Sequence, residues 1–300
     1  MRGVHPERSL EAAVLRERTL LRGRRILIAC SGGADSVALA GVLSAVCSRL
    51  NLQLALAYVH HGTRASAWQD EAVVLRVGAT FGLDVRTLAL DATQFDEANL
   101  REARYSALAY CARDLKFDAV ATAHHAQDQS ESVLLALFRG AGERGLEGIR
   151  AARPLDAGIE LLRPLLRVDA RALYAYCQAL ALPYAVDPTN AAGDGRRNAI
   201  RAALAALRPL FPGLDRAVAR SARILGTDVA EEPDRTAARR WLRGTLLPRT
   251  GPDTLDFERV EALLSAIERA GSGQISLGTG VVARLRRGEI LAIESTEPNG

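Results

Sequence analysis

Ser31-Gly32-Gly33-Ala34-Asp35-Ser36 closes one apolar run, Arg25–Cys30, and opens another with helical periodicity. Two glycines there carry no Cβ and can take backbone conformations closed to other residues, so the chain can approach a ligand closely. A helix beginning at this point presents unpaired amides and the positive end of its dipole, which together favour an anion. Ser31 and Ser36 add hydroxyls. This is phosphate-binding chemistry, but the lysine of the G-x-x-x-x-G-K-[ST] loop is missing. Asp35 is out of place beside a polyphosphate unless a cation lies between them, and Mg²⁺ shared by Asp35 and phosphate oxygens resolves the conflict. The same six residues also suit an ordinary tight turn with Asp35 at a helix start.

Lysine is scarce everywhere: Lys116 is the only one, and all other cations are arginine. It sits in DLKFDAV, outside any motif, so a phosphate-clamping lysine, a Schiff base or a lysyl-adenylate is disfavoured. The cysteines Cys30, Cys47, Cys111 and Cys177 form no CxxC pair, and the histidines His5, His60-His61 and His124-His125 lack zinc-finger spacing. Neither a structural metal nor a disulfide is expected.

The elements that must hold the glycine turn alternate. Strands are predicted at Arg25–Cys30, Leu52–His60, Val85–Leu90 and Ala119–Ala123, and helices at Ser36–Leu50, Ala67–Phe81, Glu97–Leu115 and Gln127–Phe138. Short apolar runs alternating with amphipathic stretches indicate an α/β fold, a mostly parallel, doubly wound sheet covered on both faces. Ligands in such folds bind beyond the C-terminal ends of the strands. The polar oddities fall at those turns: SGGADS after the first strand, HHGTR after the second, HHAQDQ after the fourth. Further on come the loop RGAGERGLEGI, the segment LLRPLL, a helix near Asp169–Leu180, the turn-rich DPTNAAGDGRRN and a helix over Arg197–Leu207. Pro209 and Pro212-Gly213 mark a boundary. Helices near Leu214–Thr227, Asp234–Leu242 and Asp256–Ala270 follow, and residues 273–295 read as a small antiparallel meander. The expected organisation is a domain over residues 1–215 and a smaller α+β region over 216–300.

At 300 residues, with 48% hydrophobic and 25% charged residues, the chain can bury a sizeable core. No apolar stretch is long enough to span a bilayer, and the N-terminus lacks a signal-peptide core, so the expectation is a cytoplasmic protein with no membrane partner. Its net charge of +4 is unevenly placed. The whole excess lies in residues 139–208, where 11 arginines face 7 acids. This hints at a phosphate-rich partner, although so small an excess also suits a solvated face.

SGGxDS after the first strand resembles the PP-loop of the N-type ATP pyrophosphatases, which cleave ATP between the α and β phosphates. YVHHGTR, QDEA, NLREARYSAL, TAHHAQDQSESVLLALFRGAGERGLEGI, LLRPLL and DPTN…RRNAIR follow in the order and spacing of the tRNA(Ile)-lysidine synthetases. The resemblance covers residues 26 to about 208. The C-terminal part resembles that family's accessory, tRNA-recognising domain more loosely.

The resemblance implies an adenine-nucleotide alpha-hydrolase-like, Rossmann-type fold. It also implies a two-step reaction on the wobble cytidine of an isoleucine tRNA with a CAU anticodon. The cytosine 2-oxygen attacks the α-phosphate of ATP and pyrophosphate leaves; the amine of free L-lysine then displaces AMP to give lysidine. ATP is thus a substrate and Mg²⁺ the implied ion. By the same resemblance, Ser31, Gly32, Gly33, Ala34, Asp35 and Ser36 hold the nucleotide. Asp35, Ser36, His124, His125, Asp128 and Arg197 form the catalytic group, with Asp35 and Asp128 on Mg²⁺. Arg104, Arg163, Asn198 and Arg201 take tRNA or substrate. Plainer roles remain open: Asp128 in a helix first turn, Tyr105 as a core aromatic beside Glu102 and Arg104, Arg163 paired with an acid.

One position departs from the pattern. The family reads HHxDDQ where this chain has His124-His125-Ala126-Gln127-Asp128-Gln129, so an amide replaces the first acid. An amide keeps hydrogen-bonding capacity but loses a charge, weakening any cation contact made there. On that basis an acid restored at 127 is expected to help, and an eroded, non-catalytic nucleotide- or tRNA-binding paralogue is the rival reading. A cluster-dependent tRNA thiolase would need the missing CxxC, and a glutamine-hydrolysing synthetase a nucleophilic cysteine.

Overall fold

A computed structural model of the chain describes residues 5–60, 67–90, 97–185, 195–230, 242, 246, 257–278 and 281–295. Two compact units divide at Arg223–Ile224.

The first unit is built on six strands: β1 Arg25–Ala29, β2 Gln53–His60, β3 Val85–Ala89, β4 Ala119–Ala121, β5 Ala152–Asp156 and β6 Ile159–Leu162, in spatial order β3-β2-β1-β4-β6-β5. All neighbours run parallel except β5, which returns antiparallel on β6. The described helices are α1 Pro6–Arg16, α2 Arg18–Leu21, α3 Ala34–Leu50, α4 Ala67–Phe81, α5 Glu97–Asp114, α6 Ala126–Phe138, α7 Glu143–Leu146, α8 Ala170–Ala179, α9 Gly195–Leu207 and α10 Leu214–Ala230.

β1 shows why the sheet must be covered on both sides. Successive strand side chains point to opposite faces. Ile26 and Ile28 enter a core with Leu39, Leu43, Val74 and Tyr176, whereas Leu27 enters another with Tyr105, Leu108 and Leu161.

The strand order reverses direction at β1: the chain runs outward through β2 and β3, then returns to the other side of β1 with β4. The crevice between the C-terminal ends of β1 and β4 is therefore the switch point at which such sheets bind ligands. Ile28 lies opposite Ala121, and Ala121 opposite Leu162. That register sets Ser31 level with His124, with Arg163 directly after the matching end of β6.

Two features escape the sequence reading. The β5–β6 hairpin widens the sheet around Gly158, whose φ is +73°. At the N-terminus α1 buries Leu10 and Val14 in the same core as α3 and α8. The second unit contains α11, Phe257–Glu268, and a three-stranded antiparallel meander, β7 Gly273–Gly278, β8 Val281–Arg286 and β9 Glu289–Ser295. Leu263, Leu277, Ala283 and Leu285 form its core. The helix expected at 234–242 lies outside the described residues except for Leu242. Among the described residues no helix is long and apolar enough to cross a membrane.

Candidate active site

The glycine turn joins β1 to α3. Gly32 has φ +86°, and a Cβ there would stand 3.0 Å from the Asp70 carbonyl oxygen of α4, so both conformation and space require glycine. The buried Ser36 hydroxyl is spent within the turn: Oγ accepts from Ser31 N at 3.1 Å and donates to Gly33 O at 2.9 Å. Ser31 Oγ lies 3.3 Å from it. Ala185 N, after α8, donates to Gly32 O at 2.9 Å and braces the turn from the other side. Gly33 is the N-cap of the 17-residue α3 and no side chain caps it. The first-turn amides of Ala34, Asp35 and Ser36 have no acceptor within the helix, and the Asp35 side chain is about half exposed.

The second turn joins β4 to α6. His125 Nε2 lies 3.4 Å from Asp35 Oδ2, and its Nδ1 lies 3.3 Å from Asp128 Oδ2. Asp128 Oδ2 also accepts from His125 N at 2.9 Å, closing the helix start. Burial disfavours the His125 imidazolium, but the Asp35 hydrogen bond and the charges of Asp128, Asp35 and Glu131 outweigh it and raise the pKa. Its neighbour behaves oppositely. Burial, with the cations Arg163, Arg101 and Arg104, pushes His124 down to about 4 against the pull of Asp128. His124 Nδ1 is engaged with Thr122 Oγ1 at 2.9 Å, which leaves Nε2 for other partners. One crevice thus holds two adjacent imidazoles pushed in opposite directions, His125 toward its charged form and His124 toward its neutral one.

Gln127 does not reach for a cation. Its Nε2 donates to Asp169 Oδ1 at 3.0 Å, and its Oε1 accepts from Ala170 N at 2.9 Å. Both amide groups are engaged by the start of α8, which corrects the expectation of a weakened cation contact at 127.

Glu131, one helical turn beyond Asp128, is the acid the sequence reading missed. It is 5% exposed and accepts from Arg201 Nε at 2.7 Å, with Arg197 Nε 3.3 Å from its other oxygen. The i, i+3 spacing of Asp128 and Glu131 was the available signal. Arg197 and Arg201 of α9 are therefore tied to an acid of α6, and each keeps about two fifths of its side chain exposed. Asn198 lies between them on α9.

Opposite stands a cationic wall. Arg101, Arg104 and Arg153 each place a guanidinium 5.4–5.6 Å from the centroid of the Tyr105 ring. Burial alone would raise the Tyr105 phenol, but Arg101, Arg104 and Arg163 lower it instead. Arg163 is 5% exposed and donates through Nη1 to Arg150 O at 2.7 Å, while its buried Nε has no hydrogen-bond partner. No described carboxylate forms an ion pair with any of these four arginines. Glu102 is exposed. Of the first doublet, His60 ends β2 with its ring edge-on to Tyr58, and His61 lies outside the described residues, as does DPTN.

Among the described residues no group of three or more His, Cys, Asp or Glu side chains is placed to hold a metal ion by itself. Mg²⁺ asks for less: one or two carboxylates suffice when phosphates and waters complete its shell. Asp35 and Asp128 are hard oxygen donors of the right kind, but the His125 ring stands between them, so in this arrangement each would meet an ion singly, with phosphate oxygens and waters completing its shell.

A family model described as a PP-loop domain matches residues 5–207. A tRNA(Ile)-lysidine synthase of Salinispora tropica is 42% identical over 68% of this chain and 63% of its own length. One from Salinispora arenicola is 39% identical over 75% of this chain and 69% of its own. One from Alkalilimnicola ehrlichii is 38% identical over 75% of this chain and 49% of its own. The chain thus spans from about half to about two thirds of the length of these relatives. Among solved structures, the U34-tRNA thiolase NcsA of Methanococcus maripaludis superposes with a TM-score of 0.63 at 16% identity, over 73% of this chain and 79% of that one, a likeness of fold. With a PP-loop turn at the β1/β4 switch point and relatives at this identity, the chain belongs to the tRNA(Ile)-lysidine synthase family of PP-loop proteins.

Proposed function

We propose that this chain joins L-lysine to C2 of the wobble cytidine of an isoleucine tRNA with a CAU anticodon, consuming ATP and releasing AMP and pyrophosphate in the cytoplasm. The observation that carries the reading is the convergence of Asp35 and Asp128, from different strand-to-helix turns, on His125 at the switch point.

In the first step the cytosine 2-oxygen forms a bond to the α-phosphorus, and the bond to the bridging oxygen breaks with pyrophosphate. The turn Ser31-Gly32-Gly33-Ala34-Asp35-Ser36 would bind the leaving pyrophosphate through the first-turn amides of α3 and the Ser31 hydroxyl. Ser36 serves by shaping the turn. Mg²⁺ held at Asp35 or at Asp128, together with phosphate oxygens, would supply charge neutralisation. Neutral His124 would orient the α-phosphoryl group by donating Nε2–H, in the tautomer whose Nδ1 accepts from the Thr122 hydroxyl. In the second step the incoming lysine, drawn in its ammonium form by the charges of Asp35 and Asp128, gives a proton to water; its amine then bonds to C2 and the C2–oxygen bond breaks with AMP.

Affinity for tRNA is largely phosphate contact, which the arginine excess of residues 139–208 suits. Arg104 and Arg163, with Arg101 and Arg153, present cations free of described acids. Arg197, Asn198 and Arg201 border the same crevice on α9. An anticodon cytidine is accessible without opening a duplex. Residues 216–300 are assigned to choosing the tRNA. Pyrophosphate release from ATP tests the reading: it should require isoleucine tRNA, and release that ignores tRNA, or none at all, contradicts it.

A further inference from the structure

Three hydrogen bonds join the opening of α6 to the opening of α8. Ala126 N donates to Val168 O at 2.9 Å, Gln127 Nε2 to Asp169 Oδ1 at 3.0 Å, and Ala170 N to Gln127 Oε1 at 2.9 Å. Asp169 is the N-cap of α8, and the same Oδ1 accepts from Arg171 N at 2.9 Å. At its other end α8 reaches the phosphate turn. Cys177 Sγ donates to Ala34 O at 3.4 Å, and the chain leaving α8 binds Gly32 O through Ala185 N. α8 is thus a strut between the two turns that carry Asp35 and Asp128, and Gln127 fastens one end of it.

The chemistry of that fastening selects an amide. Residue 127 must donate to a carboxylate and accept from a backbone N–H, and a carboxamide offers both. A carboxylate could accept from Ala170 N, but its other oxygen would face Asp169 Oδ1 at about hydrogen-bond distance, where two like charges repel. An amide at this position is therefore matched to Asp169.

We propose that Gln127 is a positioning residue: through Asp169 and α8 it sets the separation of the Asp35 and Asp128 turns, and it is not the remnant of a lost catalytic acid. The inference rests on the ligase reading for its kinetic consequence only.

The test compares Q127E, Q127M, D169N and Q127E/D169N in the full chain. Lysidine formation is followed with isoleucine tRNA, ATP, Mg²⁺ and lysine, and amide hydrogen exchange is followed at Ala170 and in the first turn of α3. Q127E should lower kcat about 10–100-fold, the loss that a small misplacement of reacting groups produces, with KM for tRNA changed less than twofold. D169N alone leaves Oδ1 to accept both bonds and should lose less than threefold. Added to Q127E it removes the repulsion and should recover at least about tenfold, a coupling of the kind double-mutant cycles detect. Q127M, which lacks both hydrogen bonds and any charge, should also lower kcat and keeps the test open if Q127E does not fold. A gain of activity in Q127E, or losses that simply add in the double variant, would overturn the proposal. The exchange measurement decides even if the wild-type chain forms no lysidine. Faster exchange at both Ala170 and the α3 first turn in Q127E supports the strut, and a change confined to α8 refutes it.

Discussion

His125 Nε2 stands 3.4 Å from Asp35 Oδ2, a contact between helix starts that follow different strands. The sheet brings it about: β1 and β4 are adjacent although the paired Ile26 and Ala119 are 93 positions apart in the sequence. The other ring nitrogen of the same imidazole, Nδ1, lies 3.3 Å from Asp128 Oδ2. An imidazole whose pKa is raised by these acids thereby lies between them, and Mg²⁺ arriving with ATP would compete with its proton for a carboxylate.

The two adjacent histidines should titrate in opposite directions. His125 has a folded pKa raised above 6.5, so its ion pairs contribute stability fully present below about pH 6.5 and lost as the pH rises through the folded value. His124 is held down to about 4, so its contribution is present above pH 6.5 and is lost as the pH falls toward 4. Imidazole nitrogen shifts at pH 6 should show His125 charged and His124 neutral. Both rings titrating together near the ordinary value would contradict the arrangement.

Asp35→Asn should leave the fold intact and lower tRNA-dependent pyrophosphate release by at least about 100-fold, a loss typical of removing one electrostatic contact to a transition state. The side chain is about half exposed, so little packing is disturbed. A folded variant with near-wild-type release would remove Asp35 from the proposed metal site.

Replacing Arg197 and Arg201 with alanine should flatten the salt dependence of tRNA binding by about one unit of slope, not two. Glu131 already cancels one of the two charges. The double variant should also lose about 1 kcal/mol or more of stability, because it leaves the buried Glu131 carboxylate without its guanidinium partners. An unchanged slope would confine both arginines to the fold.

Local pattern reveals the α/β framework because each buried strand and amphipathic helix announces itself over a few residues. β1 and α3–α6 fall within a few residues of their expected ends. The β5–β6 hairpin stayed hidden: β5 contains Pro154 and two arginine or aspartate positions in five residues, and it buries too little to show alternation. α1 was hidden by its charges, although Pro6 at its start and Leu10 and Val14 four apart mark it. At the site, residue types were legible and partners were not. Sequence alone leaves Gln127 looking like a charge lost from the crevice, since Asp169 is 42 residues away. Arg101 and Arg153 join Arg104 and Arg163 only because α5 packs across β5 and β6, a long-range contact around Tyr105.

A fragment ending at residue 230, after α10, should be soluble and bind ATP, yet discriminate poorly among tRNAs. It retains the cores on both faces of the six-stranded sheet and the Asp215 carboxylate that Arg208 grips at 2.8 Å. Sedimentation and ATP binding check the first part, and competition between isoleucine tRNA and other tRNAs checks the second. An insoluble fragment would mean that the two units depend on each other to fold.

The most direct measurement is mass spectrometry of the nucleosides of transcribed CAU-anticodon isoleucine tRNA after incubation with the protein, ATP, Mg²⁺ and lysine. The expected product is a cytidine heavier by one lysine less one water, formed only when both ATP and lysine are present. Unmodified cytidine under those conditions, from protein that is folded and binds the tRNA, would contradict the proposed ligation.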